Sequence, residues 1–141
     1  MSASHEQPLT QTQKAQNLQT RNQQFQEKLT TSYRQVVSDP TAALAGFNQC
    51  WDEAKELEEE GEDFLQGMGD WGSQQKPKAK DNWRKTRLEI LHMKGQTLMV
   101  LARYEEAKSA IAKARSYLTD PMNPEASKLD ELEVEISLLQ A

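Results

Sequence analysis

The sequence predicts an all-α protein of about five helices folded as antiparallel helical hairpins. Three observations predict it. Apolar residues recur at spacings of three, four and seven along five separate stretches, as one face of a helix requires. No stretch alternates with period two for long enough to be a strand. Start and stop signals separate the stretches by short connections, and short connections imply antiparallel neighbours.

The first helix is expected from about Thr10 to Val37, with Ala15, Leu18, Phe25, Leu29, Tyr33 and Val36 on one narrow stripe. Thr10 and Gln13 have the spacing of a capping box. Gln residues fill the other faces, so order at this end depends on packing. Residues 1–9 read as a disordered N-terminus. Asp39-Pro40 starts a second helix: Asp39 can accept backbone N–H groups, and Pro40 loses no needed donor at the first helical position. Ala43, Leu44, Phe47, Cys50, Trp51, Ala54 and Leu57 form its stripe.

Residues 52–63 carry eight acids, and Gly61, Gly67, Gly69, Gly72 and Pro77 follow. Residues 61–80 are therefore read as a mobile loop. Within it Phe64, Leu65, Met68 and Trp71 are large apolar side chains among glycines and acids. They read either as a docking motif or as a local tuck over the helix ends. A third helix is expected from Asp81 or Asn82 to Ala102. Its apolar surface is wide enough to need contacts on two sides. A fourth is expected over about Tyr104–Leu118, stopped by Asp120-Pro121. Asn123-Pro124 starts a fifth, with Leu129, Leu132, Ile136 and Leu139 on its stripe. Residues 10–141 are thus expected to form one domain.

Charge and composition exclude several function classes. With 22 acidic and 17 basic residues the net charge is −5, which disfavours nucleic acid as the main partner. Lys76, Lys78, Lys80, Arg84, Lys85, Arg87 and Lys94 form the one basic cluster. It has two readings: an RNA contact, or internal neutralisation of the acidic run. No apolar run approaches the roughly 20 residues of a membrane span. The start of the chain lacks a secretory signal, and a single Cys cannot form an internal disulfide, so a cytoplasmic protein is expected. Two histidines and one cysteine offer no metal-ligand spacing. Nor is there a phosphate loop or nucleophile elbow, so neither enzyme activity nor a cofactor is expected.

The stretch Leu88 to Pro121 resembles a tetratricopeptide repeat through Leu91, Gly95, Leu98, Tyr104, Ala107, Ile111 and Ala114. Gly95, Ala107 and Ala114 are small where two helices would cross. A weaker match lies around residues 10–57, with Ala43 and Phe47 on the second helix and Cys50 where a small Ala is usual. The resemblance implies a groove that binds a peptide or helix of another protein, as an adaptor or chaperone does, without catalysis. Its groove positions fall at Glu89, His92, Gln96, Met99 and Val100. Two readings of these residues stand: a partner-binding surface, or a face covered by the first or last helix. The rival in another class is an assembly subunit that self-associates through residues 10–37, with Ala15, Leu18, Asn22, Phe25 and Leu29 as a seam.

Overall fold

The structure, a computed structural model, describes residues 10–120 and 122–141. The expected disorder of residues 1–9 and the Pro121 stop signal lie outside the described residues. The described residues form five helices and no strand: α1 (Gln11–Ser38), α2 (Pro40–Gln66), α3 (Gly69–Val100), α4 (Tyr104–Arg115) and α5 (Pro124–Gln140).

The helix starts follow local chemistry. The Thr10 hydroxyl accepts from the Gln13 N–H at 3.1 Å, and the Gln13 side chain accepts from the Thr10 N–H at 2.9 Å, closing the capping box. The Asp39 carboxylate accepts from the Ala42 N–H at 3.2 Å, with Pro40 next to it. The Asn123 side chain does the same for Glu125 at 3.0 Å. The end of α3 is also local. Arg103 N–H bonds to the Leu98 carbonyl at 2.8 Å and Ala102 N–H to the Met99 carbonyl at 2.9 Å, with Ala102 in the left-handed region at φ 59°.

Neighbouring helices run antiparallel, because contact partners fall in number on one helix as they rise on the next. Arg21 pairs with Glu60 and Lys28 with Glu53 across α1 and α2. Lys80 meets Glu62 and Arg87 meets Glu58 across α2 and α3. Arg84 donates to the Tyr117 carbonyl from α3, and Gln140 of α5 donates to Glu105 of α4. The acidic run is thus met by α1 cations as well as by the basic cluster of α3. Apart from the half-buried Arg87–Glu58 pair, these exposed pairs contribute ~0–1 kcal/mol each and chiefly set register.

Two apolar clusters share α3. Phe25, Leu29, Val36, Ala43, Phe47, Cys50, Ala54, Leu57 and Ile90 join α1, α2 and α3. Leu88, Leu91, Leu98, Ala107, Ile111, Ala114, Leu129, Leu132 and Ile136 join α3, α4 and α5. The wide apolar surface of α3 is explained by this double role. Full burial of a side chain such as Phe25 or Ile111 stabilises by roughly 1.5–3 kcal/mol. Close approach depends on small residues. A Cβ on Gly46 would lie 2.0 Å from the Ser32 Oγ, and one on Gly95 would lie 3.3 Å from Ile111 Cγ1.

The loop expected at 61–80 is replaced by helix. Residue Gln66 ends α2, Gly69 begins α3, and Pro77 sits inside α3. Proline in a helix costs about 3 kcal/mol, so tertiary pairing must override local preference here. The pairing is visible. Gly72 is buried so close to α2 that a Cβ would meet the Leu65 carbonyl oxygen at 1.8 Å. Lys80 reaches Glu62 at 3.6 Å. Only Gly67 and Met68 separate the two helices, and Gly69 takes φ +66° to turn the chain. Helix α4 also ends earlier than expected, at Arg115, because residues 116–118 close tighter i to i−3 bonds.

Candidate functional site

Helix α3 presents different residues to its two sides. Asn82, Thr86, Glu89 and Met93 follow i, i+4, i+7, i+11 spacing and therefore share a face. Two clefts open along this face. The first, of about 530 Å³, lies between α1 and the α2–α3 hairpin. Leu18, Leu57, Phe64 and Trp83 give it an apolar floor, and Gln19, Asn22, Gln26 and Asn82 supply carboxamides. The Trp83 ring is held by an edge contact with Phe25, whose centroid is 5.7 Å away. The second cleft, of about 440 Å³, lies between α3 and the start of α5. Glu89, His92 and Met93 meet Asn123, Glu125 and Lys128 there.

Of the five groove residues expected from the sequence, the structure brings Glu89 and His92 into this second cleft. Glu89 is exposed, while His92 is half-buried with its Nδ1 4.0 Å from Glu125. Burial holds the His92 pKa below the ordinary value, and the Glu125 carboxylate opposes that shift. Lys128 lies 3.1 Å from the same carboxylate. Gln96 is half-buried and lines neither cleft. Met99 packs against the α3–α4–α5 core, and Val100 is exposed at the end of α3.

The four residues expected in a docking loop are helical or in the turn. Phe64 and Leu65 are half-buried in the last turn of α2, Met68 is exposed in the connection, and Trp71 is exposed in the first turn of α3. Phe64 joins the first cleft and the other three do not. The seam expected for self-association is used in part within the chain: Phe25 and Leu29 are buried against α2 and α3, while Ala15 and Asn22 are exposed.

The sequence reading missed Leu18, Asn22, Gln26, Asn82 and Trp83 as cleft residues. The sequence predicted a wide apolar surface on α3, but neither its Asn82–Met93 face nor the facing residues of α1 and α5 were legible. Tyr33, expected on the α1 stripe, packs beside the α1–α2–α3 core. Its hydroxyl is buried without a hydrogen-bond partner, and burial together with the nearby Glu89 pushes its pKa up. Among the described residues no helix is long and apolar enough to cross a membrane. No protein-family model, curated protein or solved structure matches the chain.

Proposed function

We propose that this chain is a non-enzymatic protein-binding module, a small tetratricopeptide-like adaptor or chaperone that takes a helical or extended segment of a partner. The observation that carries the proposal is the first cleft. An apolar floor of Leu18, Leu57, Phe64 and Trp83 suits alternate side chains of a bound segment. Its carboxamides each offer a donor and an acceptor, which suits the backbone of that segment. The second cleft supports the same reading by continuing the α3 face with charged groups of both signs. The close approach of Gly95 to Ile111 and Ala107 supports the repeat resemblance of α3 and α4.

The test is affinity capture from source cells with the whole chain. Asn22→Arg combined with Asn82→Arg fills the cleft with charge and leaves the buried core untouched. Partners held by the wild type should be lost, while Val100→Glu, at an exposed position away from both clefts, should retain them. An unchanged partner list for the Asn22/Asn82 variant rejects the cleft reading. The assembly alternative is checked by light scattering: a monomer at all concentrations rejects self-association through residues 10–37.

A further inference from the structure

A third cleft, of about 540 Å³, opens between α2, α3 and α4, on the side of α3 away from the Asn82–Met93 face. Its floor is apolar, from Leu44, Leu91, Leu98 and Ala110. Trp51 stands at its wall, packed edge-on against Tyr117 at 6.0 Å. Two ammonium groups border it. Lys113 Nζ lies 4.5 Å from the centre of the Trp51 ring, and Lys94 is half-buried on α3. Among the described residues neither lysine has a carboxylate within 4 Å.

Arg103, Glu105 and Glu106 also line the cleft, and the two acids already have partners. Glu106 pairs with Arg103, and Glu105 accepts from Gln140 at 2.9 Å with the Lys108 ammonium 3.9 Å away. Burial and the like charge of Lys113 both push the Lys94 pKa down, with Glu106 and Asp52 opposing only in part. A half-buried ammonium without a partner is costly, and a second one beside it adds repulsion. A carboxylate entering the cleft would relieve both.

We propose that this cleft binds an acidic–apolar segment of a partner protein, with a carboxylate side chain held by Lys94 and Lys113 and a neighbouring large apolar side chain laid on Trp51, Leu44 and Leu91. The site is separate from the carboxamide cleft and stands without it. A chain segment fits better than a small ligand. Asn48, Ser109 and Lys113 on the rim are exposed, whereas sites for small ligands bury most of the ligand surface. With Glu106 paired to Arg103, the lining leaves Lys94 and Lys113 against Glu105, so the site is locally positive in a chain of net charge −5 and favours acids.

The probe is a short fluorescein-labelled peptide alternating Glu with Leu and Phe, read by anisotropy against the same peptide with Gln for Glu. The Glu peptide should bind about tenfold tighter, as charged hydrogen bonds imply. Lys94→Gln with Lys113→Gln should abolish that preference while leaving the urea midpoint close to the wild-type value, since the relieved repulsion offsets the lost contact of Lys113 with Trp51. Asn22→Arg with Asn82→Arg should leave peptide binding unchanged, which separates this site from the carboxamide cleft. Equal binding of the two peptides, undiminished binding by the lysine double variant, or no binding at millimolar peptide would each overturn the proposal. Displacement by an equal concentration of 4-phenylbutyrate would overturn the peptide occupant in favour of a small carboxylate.

Discussion

Gly46→Ala and Gly61→Ala make the same chemical change in the same helix and should have opposite effects. Both glycines lie inside α2, where Ala is favoured over Gly by roughly 0.8–1 kcal/mol. Around Gly61 a new Cβ meets nothing within 4 Å, so Gly61→Ala should stabilise by about 0.5–1 kcal/mol. At Gly46 the new Cβ would lie 2.0 Å from Ser32 Oγ and 3.1 Å from Ser32 Cβ. Rotating the hydroxyl away would break its 3.0 Å bond to the Lys28 carbonyl, and Ser32 is buried. The Cβ contact would remain and would press α1 away from α2. Overpacking of this kind costs about 1–3 kcal/mol, which exceeds the helix gain at the upper end and leaves a net loss of up to about 2 kcal/mol. Urea denaturation of the whole chain reads both changes. Ser32→Ala removes the 2.0 Å contact, so the Gly46→Ala/Ser32→Ala double variant should recover part of the loss, with a coupling of at least about 0.5 kcal/mol. Stabilisation by Gly46→Ala equal to that by Gly61→Ala, or additivity of the two changes at 32 and 46, would refute the close crossing of α1 and α2.

Ala102 holds a left-handed conformation at the end of α3, so Ala102→Gly should raise stability by about 1 kcal/mol, read as a higher urea midpoint; no change would mean the turn is not held. His92 has a folded pKa below its unfolded value, so the unfolded chain binds the proton more tightly. Its contribution is therefore fully present above the unfolded pKa, near 6.5, and is lost as pH falls from there through the lower folded value. The NMR titration of His92 should show the depressed pKa, Glu125→Gln should depress it further, and His92→Gln should flatten the stability loss between neutral and mildly acid pH. Cys50 is fully buried with its thiol pKa pushed up to about 11 by burial, so it should resist iodoacetamide in the native chain and react on unfolding; rapid native labelling would contradict the α1–α2–α3 packing.

Much of the fold was legible because its signals are local. A capping box, an Asp-Pro and an Asn-Pro start, and apolar spacing are all set by residues within a turn of one another. They located α1 and the starts of α2 and α5 closely. The hairpin at Gln66–Gly69 was not legible, because glycines and Pro77 speak for a loop by local preference. What reverses that preference is Gly72 lying against the Leu65 carbonyl and Lys80 reaching Glu62, contacts between helices rather than within one.

The candidate sites divide along the same line. The repeat resemblance placed Glu89 and His92 on one face of α3, and the sequence by itself determined the class, five helices with apolar stripes. It could do so because helical periodicity depends only on spacing along the chain. Only the tertiary structure decided what faces that helix. Carboxamides of α1 stand opposite Trp83, Glu125 stands opposite His92, and Lys113 on α4 comes over Trp51 on α2. Met99 was assigned to a groove by its place in the repeat, and packing turned it against the core instead. Which side chains meet across helices depends on crossing geometry and register, and these are set by small contacts such as Gly46 on Ser32 and Gly95 on Ile111 that no single segment encodes.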